Sequence, residues 1–256
     1  MLTRICFRLG PVYDSPAAYV NGKLQKKCLV LVFVGTHSTA QSGKLSRIIP
    51  VNNTQQSLEL NDVALSRGGR QLTSGLSFSL APGQLALIIG PNGSGKTTLL
   101  RTIAGLARPS AGWIRLGDRD VASPDPDGCA QIVYQAHLEG LKKDLTVEEN
   151  IQFYSELHSI DKVDWEYLAA LNLHAVRGRK VRYLSAGQKR RVTLAILATI
   201  QAPVWLLDEP LTNLDPAGRA LVSTWLDGHL ERGGLAVIAT HLVEELQRPG
   251  SLLVEL

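Results

Sequence analysis

"LALIIGPNGSGKTTLL", residues 85–100, runs five apolar residues into a glycine-rich loop and then into a helix-forming stretch. Gly90-Pro91-Asn92-Gly93-Ser94-Gly95-Lys96-Thr97 has the G-x4-G-K-[ST] spacing of a phosphate-binding loop. Its glycines let backbone N–H groups wrap the β- and γ-phosphates of a nucleotide. Lys96 supplies a point charge, and Thr97, with Thr98 behind it, offers a hydroxyl to Mg2+. A strand before the loop and a helix after it are the setting that the motif needs. The sequence predicts both, with the strand over 85–89.

Working outward, "VWLLDE" at 204–209 places two carboxylates after four apolar strand residues. A buried strand tip is a costly place for acids unless a metal or a cationic site uses them. Asp208 fits the role of holding the Mg2+ hydration shell, and Glu209 that of polarising the attacking water. Three further strand or loop ends join them. Gln135 ends "QIVYQ", within reach of the Mg2+ or the water. His241 ends "LAVIATH", where an imidazole meets the γ-phosphate or the water. Asp215 lies in "LTNLD", soon after the two acids.

A second anion site then stands in "YLSAGQKRR", residues 183–191. Ser185, Ala186 and Gly187 form a small-residue turn before a basic helical run, so free N–H groups and a hydroxyl face negative charge. One chain carrying two phosphate cradles calls for a shared site.

The pattern between these motifs alternates strands with helices, which argues for a mostly parallel sheet covered on both faces. "LELNDVALS" alternates as an edge strand does, "GGR" marks a turn, and residues 145–174 have helical spacing. Helices are expected over Ala186–Thr199 and Pro216–Glu231, and strands in "WIRLG", "VWLLDEP" and "LAVIATH". A Pro/Asp-rich loop occupies 123–128.

The motifs in their order resemble the ATP-binding-cassette (ABC) ATPases, over residues 57–256. The resemblance implies the P-loop NTPase form of that family: an α/β fold with a mostly parallel core, an antiparallel β subdomain and a small helical lobe at about 136–190. It implies ATP and Mg2+ as cofactors. It also implies a head-to-tail homodimer, in which Ser185 and Gly187, with Gln188, grip the γ-phosphate held by the other chain's loop, while Asp215 faces the boundary between them. The family usually stacks adenine on an aromatic residue just ahead of "GGR". Arg67 stands there, and its guanidinium plane either stacks on the base or leaves it unstacked.

Only 49 residues separate Gln135 from Ser185, too few for the coiled coils or zinc modules of repair and chromosome-organising members. "YQAHLEGLKKDLTVEENIQFY" and "YLSAGQKRRVTLAIL", with alanine at 186, are similar to the ATP-binding subunits of cytochrome c maturation, the CcmA family. That resemblance implies a peripheral membrane protein on the cytoplasmic face of the inner membrane, bound to CcmB-, CcmC- and CcmD-like membrane subunits. Its ATP hydrolysis would drive haem export or transfer. The alternatives are the ATPase of another small-molecule, drug or lipid transporter, and a soluble cassette ATPase outside transport. His137–Phe153 mixes Leu138, Leu141, Leu145, Ile151 and Phe153 with Lys142 and Lys143. It suits either a grip on a partner's short helix or the lobe's own core and solvated face.

Composition bounds the rest. The chain has 256 residues and 45% apolar content, enough for one sizeable α/β domain. Cysteines at 6, 28 and 129 have neither paired nor metal-like spacing, which fits reduced thiols. No apolar run approaches the roughly 20 residues of a membrane span. The net charge of +4 comes from residues 1–56, which hold seven Lys/Arg and one Asp. Residues 57–256 hold 20 basic and 22 acidic residues, so their charge gives no reason to propose nucleic acid as a partner. The acid-poor segment 1–56 reads as an N-terminal extension without a fold of its own. It is either a transit peptide, which would put the protein on the mitochondrial matrix face, or a non-native extension ahead of a start such as Val51. Removal of residues 1–50 should leave folding and ATPase activity unchanged.

Overall fold

In the computed structural model the described residues are 19–20, 23–24, 56–122, 132–136, 140–158, 160, 162–200 and 202–256. The Pro/Asp-rich loop, His137, Leu138 and most of the extension lie outside them. Within the extension, β1 (Tyr19–Val20) pairs antiparallel with β2 (Lys23–Leu24).

From residue 58 the chain builds two sheets. β3 (Leu58–Arg67) turns at Gly68-Gly69 into β4 (Arg70–Leu80). β5 (Leu85–Ile89) leads through the phosphate loop into α1 (Lys96–Ile103), followed by β6 (Ala111–Leu116), β7 (Arg119–Asp120) and β8 (Ile132–Gln135). The lobe contributes α2 (Val147–Leu157), three 3-10 turns and α3 (Ala186–Thr199). β9 (Val204–Asp208), α4 (Pro216–Glu231), β10 (Leu235–Ala239), α5 (Val243–Leu246) and β11 (Leu252–Glu255) complete it.

One sheet is parallel, in the order β11-β5-β10-β9-β8, and the other is antiparallel, β4-β3-β6-β7. β3 therefore lies inside its sheet, paired on both sides, and not at an edge. Alternating side chains report one buried face; they do not count neighbours.

The parallel strands are apolar on both faces, and their alternation sorts the core into two clusters. Leu85, Leu87, Trp205, Leu207, Ala236 and Ile238 join the lobe's Val147, Ile151, Val192 and Ile196. Ala86, Ile88, Val204, Leu206, Leu235 and Val237 instead meet Leu99, Leu100 and Ile103 of α1 and the β3 residues Leu58, Leu60, Val63 and Leu65. A sheet covered in this way reads as continuous apolar runs, as the sequence did.

Residues 145–174 are less regular than their spacing suggests. α2 starts on a capping box, Thr146 with Glu149, which satisfies two backbone N–H groups at the helix start. It ends at Leu157, and 3-10 turns follow at Tyr167–Leu171 and His174–Val176. The first of these stops at Asn172, whose φ of 53° is left-handed and cannot continue a helix. Before α2, buried Asn150 pins residues 142–146 to the helix, bonding Lys142 N (2.8 Å), Lys142 O (3.0 Å) and Thr146 O (2.8 Å). Leu141 and Ile151 are core, so they are not part of a docking face; Lys142 lies over the Phe153 ring and Lys143 is exposed.

A buried imidazole gives this core a pH dependence. His229 stacks on Trp205 at 4.1 Å and its Nε2–H donates to Leu235 O at 3.1 Å. Burial, the largest influence, pushes its pKa down from 6.5 to about 4. Between those values the unfolded chain takes up a proton that the folded chain refuses, so stability falls as pH drops from about 6.5 to about 4. The His229 share amounts to about 3 kcal/mol. Burial shifts His158 in the same direction, also to about 4. Urea titrations of His229→Phe should show a shallower loss across this window than the wild type, with the His158 share remaining.

Candidate active site

The phosphate loop begins where β5 ends. Gly90 has φ 143°, and a Cβ there would lie 2.5 Å from Leu256 O and 2.9 Å from Ser94 Oγ. Only glycine fits. Lys96 opens α1 with its side chain folded back, its Nζ donating to Gly90 O (2.6 Å) and Pro91 O (3.1 Å). These carbonyls offset the burial of a charge that is 8% exposed. The Ser94 hydroxyl is buried and has no hydrogen-bond partner among the described residues, as suits a group that meets a ligand oxygen.

Beside the loop, Thr97 Oγ1 donates to Asp208 Oδ2 at 2.8 Å, joining the two residues expected to hold Mg2+. Asp208 is 3% exposed. A hydroxyl and a carboxylate meeting at the rim of a phosphate cradle are hard oxygen donors, the set that Mg2+ takes. The residues fit the ion.

Glu209 follows with φ 50°, a left-handed conformation that costs about 1–3 kcal/mol and persists only where its surroundings impose it. They do impose it: its N–H donates to Ala239 O at 2.9 Å, at the end of the neighbouring strand. Its Oε1 lies 3.5 Å from His241 Nε2. That same nitrogen is 3.2 Å from Asn92 Oδ1 and 3.5 Å from Lys96 Nζ. The imidazole thus stands between the carboxylate and the phosphate loop, where it can pass a hydrogen bond to either.

Ser185, Gly187 and Gln188 form a second group at the start of α3. The Ser185 hydroxyl accepts from Gln188 N (3.2 Å) while Gln188 Oε1 accepts from Ser185 N (3.0 Å), a second capping box. The hydroxyl still has its own proton to donate. At Gly187 a Cβ would come within 3.2 Å of Asn213 O, so this glycine answers a close backbone approach. Asp215 caps α4, accepting from Gly218 N at 3.1 Å, and pairs with Arg191 at 2.7 Å. The Arg191 hydrogen bond, foremost, holds the Asp215 carboxyl below its usual range.

A family model described as "ABC transporter" matches residues 73–212, more than half of the chain. The chain belongs to the ABC transporter family. Among curated relatives, the cytochrome c biogenesis ATP-binding export protein CcmA of Rhodobacter capsulatus is 46% identical over 185 residues, covering 72% of this chain and 81% of that one. The protein of the same name from Paracoccus denitrificans is 44% identical, covering 78% and 88%. The one from Nitrosospira multiformis is 41% identical, covering 78% and 97%. In fold, the chain is similar to an ATP-binding subunit of an ABC transporter (TM-score 0.67, 22% identity, 73% and 80% covered). It is likewise similar to an ABC ATP-binding protein from Pyrococcus furiosus (TM-score 0.65, 23% identity, 78% and 97% covered). This is an ABC ATPase, most like CcmA.

Two residues singled out in the sequence, Arg67 and Gln135, take their surroundings from the fold. Arg67, exposed, sits at the tip of the β3–β4 hairpin next to the Gly68-Gly69 turn. Gln135 is 1% exposed, and with its carboxamide turned the way that satisfies both of its ends, its oxygen accepts from Arg190. Arg190 is the functional candidate that the sequence reading missed. It stood in a basic run expected only to back the second anion site, yet it is 3% exposed. Thr193, Leu194 and Leu197, three, four and seven positions on, carry the faint signal, since they share the face of position 190 and are all buried.

Replacing Lys96 by alanine removes a buried charge that faces the phosphates. A hydrogen bond to a charged group contributes about 1.5–3 kcal/mol. ATP affinity should therefore fall roughly 10- to 100-fold, read by titration calorimetry, with the melting temperature within a few degrees of wild type.

Proposed function

We propose that this chain is the ATP-hydrolysing subunit of a haem exporter in cytochrome c biogenesis, working as a head-to-tail dimer on CcmB-, CcmC- and CcmD-like membrane subunits. The observation that carries the catalytic part is the convergence of Lys96, Thr97, Asp208, Glu209 and His241 at one end of the parallel sheet. The export role rests on the names of the CcmA relatives. Among the described residues no helix is long and apolar enough to cross a membrane; in this reading the partner subunits form the membrane path. We place the chain at the cytoplasmic face of the inner membrane.

In this reading the backbone N–H groups of Gly93–Thr97 and the Lys96 ammonium bind the β- and γ-phosphates. Thr97 and Asp208 would hold Mg2+, which when bound neutralises charge on the phosphate oxygens. Glu209 takes a proton from water as the water oxygen bonds to the γ-phosphorus and the bond to the β–γ bridging oxygen breaks. His241 orients that water or the γ-phosphate through Nε2. From the other chain, Ser185 Oγ–H and the N–H groups at the start of α3 meet the γ-phosphate. A helix N-terminus with a free hydroxyl proton is suited to that charge. Lys142 and Lys143 flank the lobe face offered to the membrane subunits.

Glu209→Gln should bind ATP as the wild type does and lose at least 100-fold in turnover, because a carboxamide cannot accept the water's proton. Light scattering should then report an ATP-dependent dimer. Mixing Lys96→Ala chains with Ser185→Arg chains, each inactive alone, should restore part of the activity through one intact composite site. A fully active monomer would remove the shared-site reading. Paired Lys142→Glu and Lys143→Glu changes should spare the isolated ATPase while weakening co-purification with the membrane subunits and lowering cytochrome c maturation in cells. Unimpaired maturation would count against docking there.

A further inference from the structure

Glu209 keeps a strained backbone beside the phosphate loop, and one side chain reaches both its peptide and Gln135. Arg190 leaves α3 little more than one turn after Ser185. Its Nε donates to Pro210 O at 3.1 Å, and its Nη2 donates to Glu209 O. On the other side, Gln135 Oε1 accepts from Nη1 at 2.5 Å and Nη2 at 2.8 Å, the carboxamide orientation being the one that satisfies both groups. A planar guanidinium fork is the group that can hold two consecutive carbonyls and a third acceptor at fixed angles.

We propose that Arg190 is a positioning residue for ATP hydrolysis, clamping the Glu209–Pro210 backbone to the Gln135 side chain so that the Glu209 carboxylate stays aimed at the phosphate loop. This rests on Glu209 being the base. The clamp joins three elements that chain order separates: the end of β8, the segment after β9 and the helix that begins at Ser185. A shift of α3 or of Gln135 then reaches the carboxylate through a rigid side chain. Since Gln135 Oε1 is engaged by Arg190, any other partner of that oxygen, a metal ion included, competes with the clamp. Gln135 is thereby an adjuster of Glu209.

The test compares Arg190→Gln, Arg190→Lys, Gln135→Ala and the Arg190→Gln/Gln135→Ala double variant in the full chain, with Glu209→Gln as reference. Loss of charge-assisted bonds to the Glu209–Pro210 peptide should lower kcat roughly 10- to 100-fold, with KM for ATP and the melting temperature nearly unchanged. Arg190→Lys, which keeps the charge but not the fork, should fall between. The double variant should lose clearly less than the product of the single losses, because both changes break one linkage. Independently of turnover, amide hydrogen exchange should speed up at residues 209–212 in Arg190→Gln and stay unchanged across β10.

A kcat within threefold of wild type overturns the proposal. So do losses that multiply with Gln135→Ala, or a fall in kcat matched by equal losses of ATP affinity and global stability. If Arg190→Gln does not fold, Arg190→Lys carries the same cycle and exchange measurement. Glu209→Gln separates the two readings. Wild-type activity there removes the base assignment itself, whereas an inactive Glu209→Gln beside an unimpaired Arg190→Gln removes the clamp alone.

Discussion

Parallel pairing of β5, β10, β9 and β8 is the constraint on which the site depends. Parallel strands in register end together, so Ile89, Ala239, Asp208 and Gln135 finish at one edge of the sheet. Each end leads into one part of the proposed site: the phosphate loop, His241, the two acids and the Gln135 amide. The strands are apolar on both faces, and a one-residue slip would exchange the contents of the two clusters. Core packing thereby fixes the relative heights of groups that must meet within a few ångströms.

Much of this was legible in the sequence, for local reasons. α3 and α4 fall where their signals stand: Ser185 with Gln188 as a capping box, and Asp215 before Pro216 as a cap with proline in the first turn. The phosphate loop is legible because its spacing is itself the mechanism. What escaped depends on distance or on neighbours. β11 is a four-residue parallel edge strand with no turn signature of its own, and the interior position of β3 is a matter of pairing. Helical spacing across 145–174 could not reveal that Asn172 would stop the chain in a left-handed turn.

The Gln135–Arg190 contact is the clearest case of information that local pattern does not hold. Nothing in the residues around either position names the other, since sheet closure and the seating of α3 on the lobe side of the core bring them together. Among three consecutive basic residues, the fold gives two of them separate tasks. Arg190 turns inward to the Glu209–Pro210 peptide, and Arg191 pairs with Asp215 at the start of α4. α3, the Glu209–Pro210 segment and the cap of α4 consequently share one support.

Ala186 and Gly187 stand side by side under opposite demands. Gly187 has little room, because a β-carbon there would stand 3.2 Å from Asn213 O, while Ala186 is exposed at the first position of the helix. Alanine is favoured over glycine in a helix by about 1 kcal/mol, largely by restricting the unfolded chain. A helix start so biased frays less, and its N–H groups stand arrayed before an anion arrives. For the proposed dimer, ordering entropy that would otherwise be lost at encounter is then already spent when each chain folds. In the proposed head-to-tail pair, drift at 186 would thus alter the lifetime of the closed state without changing any side chain proposed to meet a phosphate.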